Sequence, residues 1–109
     1  MTVSEAAQTL SLKSLCVPCP AREISGAYAG DLLSWVMGRA RENNVWVTIM
    51  TNQSILAVAT LIDLSCVIIC DGSEIGDDVL ALARDKQVNL LWTEKSSYDV
   101  CGALSRLGI

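Results

Sequence analysis

Apolar positions along the chain change period repeatedly. Ser4 is placed to cap a short helix over residues 5–9, and residues 12–17 read as a short strand followed by a turn at 18–20. Residues 22–28 alternate weakly and run into GAYAGD, a loop punctuated by glycine. From Gly30 the period lengthens: DLLSWVMGRA sets Leu32, Leu33, Val36, Met37 and Ala40 on one helical face, and Asn43 and Asn44 stop that helix. VWVTIM, residues 45–50, is β-branched and aromatic, the composition of a strand. SILAVATLI is apolar on nearly every side, as expected of a helix buried within a larger interface. Residues 65–70 form a continuous apolar strand covered on both faces. DGSEIGDD then leads into a helix with Ile75, Val79, Leu80, Leu82 and Ala83 inside. Residues 89–92 make another short strand, and a helix over 98–107 ends at Gly108.

Strand and helix therefore alternate as in an α/β domain whose mostly parallel sheet is covered on both faces. No repeat, low-complexity tract or polar linker divides residues 1–109, so one domain is expected. Apolar residues make up 51% and charged residues 18%, which excludes disorder. No apolar run reaches the length of a membrane span, and the first residues lack the pattern of a signal peptide, so a cytoplasmic protein is expected. The net charge of −4 provides no basic face for nucleic acid. The complete absence of histidine removes Ser-His-Asp and Cys-His catalysis and every histidine metal ligand.

Five cysteines fit reduced thiols rather than a closed disulfide framework. Cys66, Cys70 and Cys101 lie among core residues and read as small hydrophobes. Cys16 and Cys19, in CVPC, have the form of a dithiol pair suited to redox chemistry or to supplying two metal ligands. Pro20 follows at once, however, and the next stretch reads as extended rather than as the helix that activates such a thiol.

A parallel sheet binds ligands in the crevice at its strand carboxyl ends. The pattern delivers three loops there: residues 26–31 with Gly26, Tyr28, Gly30 and Asp31; residues 51–53 with Thr51, Asn52 and Gln53; and residues 71–73 with Asp71, Gly72 and Ser73. Thr93, Glu94 and Ser96 end the last strand. Helix N-termini near Gly30 and Gln53 would favour an anionic or carbonyl-bearing small molecule, against which Asp31 and Asp71 act unless a cation intervenes. As a single role, Asp31 is expected to cap the helix it begins.

The segments GAYAGDLLSWVM, VWVTIMTNQSILAVATL, DVLALARDKQVNLLWT and the ending GALSRLGI resemble, in order, the blocks of the DRTGG domain, and the likeness covers residues 2–109. Related domains occur in the N-terminal part of HPr kinase/phosphorylase, in some phosphotransacetylases and in CBS-domain pyrophosphatases. The resemblance implies a three-layer α/β/α fold and a regulatory, dimer-forming or ligand-sensing module without catalysis or cofactor. Gly26, Asp31, Leu32, Ser34, Thr48 and Gln53 match, which adds Ser34 to the candidate ligand residues. The name-giving motifs are poorly kept: AYAG precedes Asp31 where an Asp-Arg pair is found in some members, and Cys70-Asp71-Gly72 stands in place of Thr-Gly-Gly.

Kinase chemistry is excluded because no G-x-x-x-x-G-K-[ST] loop exists and no lysine lies near a glycine-rich turn. A carboxylate hydrolase would have to use Asp31, Asp71, Asp77 or Asp78, and the last two are explained by the first turn of a helix. The expected protein is thus a non-catalytic regulatory or interaction domain that docks on itself or a larger protein, or a sensor of a nucleotide-like ligand, with thiol or metal chemistry at Cys16 and Cys19 as the alternative. A homodimer or higher oligomer is expected because Trp35 lies beyond the core stripe of its helix and Trp46 alternates with Val45 and Val47, so that both faces of its strand need cover.

Overall fold

The computed structural model describes residues 1–109. Along the chain it runs α1 (Val3–Thr9), β1 (Lys13–Cys16), β2 (Gly26–Ala29), α2 (Leu33–Arg39), β3 (Asn44–Thr48), α3 (Ser54–Ile62), β4 (Cys66–Ile69), α4 (Asp77–Asp85), β5 (Leu90–Trp92) and α5 (Ser97–Arg106). The strands form one sheet in the order β1-β5-β4-β3-β2, parallel except for β1, which pairs antiparallel with β5. From β2 to β5 each crossover steps the same way, so right-handed connections place α2, α3 and α4 on one face. Val36, Ile55, Leu56, Val79 and Ala83 pack there against Trp46, Val67, Ile69 and Leu90. On the other face α1 and α5 bring Val3, Ala6, Val100 and Leu104 onto Val45, Val47, Ile68 and Leu91. This is the three-layer α/β/α arrangement. All four residues of β4 are buried, as its unbroken apolar run predicts. No helix is long and apolar enough to cross a membrane.

Several local expectations are corrected. Thr2, not Ser4, caps α1: its hydroxyl accepts from the Glu5 N–H at 3.2 Å, and the Thr2 N–H donates to the Glu5 carboxylate at 2.9 Å. These bonds hold the Glu5 carboxyl below the usual range, the Thr2 backbone bond contributing most. The helix α2 ends at Arg39, well before Asn43, whose positive φ of 65° instead shapes the turn into β3. Only Val36 of α2 is fully buried; Leu32 is 59% exposed and Met37 48% exposed, because this short helix covers the sheet's margin at the edge strand β2. Leu61 leaves α3 open on one side at 70% exposure. Ile75 lies before α4 rather than within it, half-buried against the same core.

Trp46 does not need a partner chain to cover it. The helices α2 and α3 bury it completely, and its Nε1–H donates to the Gly30 carbonyl at 2.8 Å. Val45 and Val47 are equally enclosed by the α1/α5 layer.

Candidate functional site

The loops after β2, β3, β4 and β5 leave from one end of the sheet, and the antiparallel β1 begins there. Asp31 stands in the first loop, but it does not cap α2. Its Oδ1 accepts from the Thr48 hydroxyl at 2.7 Å and from the Ile49 N–H at 3.0 Å, joining the ends of β2 and β3, while the N-cap position of α2 falls to Leu32 with no side-chain bond. Thr48 is wholly buried within an apolar strand, so its hydroxyl needs this acceptor. Asn52 closes the start of α3: its side-chain carbonyl accepts from the Ser54 N–H at 3.0 Å and its backbone carbonyl from the Ile55 N–H at 3.2 Å. The Gln53 amide reaches the Asp78 carboxylate at 3.4 Å, and Thr51 is half-buried beside it.

Asp71 and Gly72 take consecutive left-handed conformations, φ 59° and 63°, which turn the chain sharply after β4. Their N–H groups donate to the carbonyls of Lys95 at 2.8 Å and Thr93 at 3.0 Å. The Ser73 N–H donates to the Cys70 carbonyl, and the Ser73 carbonyl accepts from Trp92 Nε1–H at 2.9 Å. The amide donors of 71–73 are therefore committed within the chain. Among the other candidates, Gly26 begins β2 and so lies at the opposite end of the sheet, where a Cβ would come within 3.0 Å of the Asn44 amide. Tyr28 lies mid-strand with its ring packed on Gly30. Ser34 is exposed on α2.

Because α4 lies on one face of the sheet and α5 on the other, successive connections part between β4 and β5, which is the switch point of this topology. A depression of about 300 Å³ opens beside it, lined by Ser11, Lys13, Trp92, Thr93, Glu94 and Lys95. Lys13 Nζ lies 5.7 Å from the Trp92 ring centroid, within cation–π range. Sequence reasoning did not single out Lys13 and Lys95. The signal available was that two of the three lysines stand at the junctions flanking β1 and β5.

The CVPC thiols lie at the other end of the sheet, since β1 runs against its neighbours. Cys19 is clamped by its backbone: its N–H donates to Asn89 Oδ1 at 2.9 Å and its carbonyl accepts from Asn89 Nδ2 at 2.8 Å. No helix begins at the pair, and burial pushes the Cys16 thiol up, away from a reactive thiolate. No three acidic or thiol side chains gather to hold a metal ion. Burial likewise pushes Cys66 up to about 12 and Cys70 to about 11.

The DRTGG domain model matches residues 29–107 of the chain. The chain belongs to the DRTGG domain family. No curated protein matches it. Among solved structures, the CBS and DRTGG domains of the regulatory region of Clostridium perfringens pyrophosphatase, complexed with the activator diadenosine tetraphosphate, superpose with a TM-score of 0.73 at 13% identity. The match covers 94% of this chain and 45% of that one, so this domain spans less than half of its structural neighbour. At this identity the likeness is one of fold, and it agrees with the α/β architecture described above. In that neighbour the DRTGG domain belongs to the regulatory region.

Proposed function

We propose that this DRTGG domain is a non-catalytic sensor that takes a small anionic, nucleotide-like ligand at the carboxyl end of its sheet and transmits its occupancy to a second copy or a larger protein partner in the cytoplasm. The observation that carries the reading is the shared fold, over 94% of the chain, with a regulatory region complexed with a nucleotide activator. The acidic groups also support it: Asp31 is occupied in joining β2 to β3, and Asp77 and Asp78 stand in the first turn of α4. The loops proposed to face the ligand are 30–31, 51–53 and 71–73, extended by the Lys13 and Lys95 ridge at β5. Thermal unfolding with adenine mononucleotides and dinucleoside polyphosphates tests this, since a ligand of the native state raises Tm. A rise with at least one nucleotide is expected, and no rise with any of them overturns the reading.

Self-association draws on a separate observation. Leu32, Trp35 and Met37 form an exposed apolar margin on and beside α2, with Trp35 53% exposed and the Arg39 guanidinium 3.8 Å from its ring centroid. Sedimentation at micromolar protein is expected to show a dimer, and a sole species of 11.7 kDa overturns this part.

A further inference from the structure

A second cavity, about 400 Å³, lies off the sheet end, between the turn joining α1 to β1 and the side of α5. Its volume falls within the range of small-molecule sites. Leu10 and Leu12 provide apolar lining; Lys95 stands just before α5, and Arg106 stands in its last turn. Three features bear on what it could hold. Both cations are free of carboxylate partners, as are all the chain's lysines and arginines except Arg22, and here two of them line one cavity. Tyr98 lines the cavity yet is 85% exposed, an aromatic residue left almost wholly open to solvent. Gly102 lines it from the interior of α5, where glycine weakens a helix, and the Arg106 guanidinium reaches back over it, its Nη1 3.5 Å from where a Cβ would stand. Lys95 also lines the neighbouring depression that holds Lys13 and Trp92, so the two hollows adjoin.

We propose that this trough binds a flat aromatic group carrying an anion, the chemistry shared by nucleoside phosphates and aromatic carboxylates, with the ring on Tyr98 above the Leu10 and Leu12 floor and the anion drawn to the cations at the trough's two ends, Lys95 and Arg106. The inference goes beyond the sensing reading, because the trough beside α5 is a separate site from the loops 30–31, 51–53 and 71–73. Asp99 also lines the trough and offsets one of the two cations, so a ring with a modest charge is favoured over a bare polyanion.

The test is an amide NMR titration of the full chain with adenosine monophosphate, 2-naphthoate and inorganic pyrophosphate. Adenosine monophosphate is expected to shift the amides of 95–106 together with Leu10 and Leu12, and pyrophosphate to bind at least tenfold more weakly. Lys95→Ala combined with Arg106→Ala, and separately Tyr98→Ala, should each weaken binding tenfold or more. Gly102→Leu should fill the trough while the dispersed spectrum reports an intact fold. Shifts confined to 30–73 overturn the trough and leave the sensing reading standing. Shifts at the trough with naphthoate but not with the nucleotide keep the trough and overturn the nucleotide reading. Pyrophosphate binding as tightly as adenosine monophosphate, or no shift with any probe at millimolar concentration, overturns the trough.

Discussion

The two ends of the sheet are built on different principles. At the amino end of the parallel strands, side chains bond one another and the backbone. Arg22 donates from Nε and Nη2 to Asn43 Oδ1 at 3.2 and 2.9 Å, and its Nη2 lies 2.8 Å from the Asp63 carboxylate. Asn43 and Asp63 both hold left-handed turns, and the Asn43 N–H donates to the Asp63 carbonyl at 2.9 Å. Asn89, 2% exposed, makes three bonds at once, two to the Cys19 backbone and one to the Ser65 carbonyl. At the carboxyl end side chains also join the frame, Asp31 to Thr48 and Ile49 and Trp92 to Ser73, but Lys13 and Lys95 flank an open depression without carboxylate partners. Amide and guanidinium side chains bind the frame at one end, while at the other two lysines flank an open depression. That difference is the physical basis for looking for ligands first at the carboxyl end and along the helix α5 that leaves it.

The largest expected effect comes from pH and acts within the frame. Burial pushes the thiol of Cys66, which opens β4 at the amino end, up to about 12, and that of Cys70, which follows the strand, up to about 11. An unfolded chain loses these protons first as pH rises, so the folded state binds more protons between about 9 and 12. The stability that the two thiols contribute is therefore fully present below pH 9 and is lost as pH climbs through that window. Urea midpoints measured from pH 7 to 11 should fall above 9, and Cys66→Ala should flatten the fall more than Cys70→Ala. A flat profile would mean that these thiols are not enclosed as described.

Asn89→Ala comes next. It strands the Cys19 N–H and the Cys19 and Ser65 carbonyls around a buried cavity, and a loss of about 3 kcal/mol is expected from unsatisfied buried groups. Urea unfolding of the variant measures it, and a loss below about 1 kcal/mol would show the amino end to be less dependent on side chains than its bonding suggests. At the other end, Asp31→Ala removes two charge-assisted bonds from an exposed carboxylate. It should cost about 1.5 kcal/mol, leaving the buried Thr48 hydroxyl unpaired.

This contrast explains what could be read in the chain. Unbroken apolar runs announce buried parallel strands, and the run from Cys66 to Ile69 left β4 no other reading. The loops at the carboxyl ends of β3 and β4 were also legible, since polar and glycine residues follow each strand. Asp31 was misread because a carboxylate before a helix normally caps it, and only the pairing of β2 with β3 brings Thr48 and Ile49 within its reach. Trp46 was misread for a similar reason: alternation shows that both faces of a strand need cover, but not that the chain's own helices supply it. Asn89 and Arg22 have no local signature, because their partners lie far away in sequence. Lys95 and Arg106 were likewise invisible as a pair until α5 placed them along one cavity.

The smallest expected effect is the most discriminating for the two ends. Lys95 is held by its backbone, whose carbonyl accepts from Asp71 at 2.8 Å and whose N–H donates to Thr93 Oγ1 at 3.2 Å. Truncating its side chain leaves that stitch intact. Arg106 lies in the last turn of α5, where a cation gains only a few tenths of a kcal/mol from the helix dipole. Lys95→Ala and Arg106→Ala should therefore each change unfolding free energy by less than about 0.5 kcal/mol, as at ordinary surface positions. Urea titration of both variants beside the parent chain gives the comparison. A loss above about 1 kcal/mol in either would place that cation in the frame, because a side chain kept for an incoming ligand has little to contribute to an empty fold.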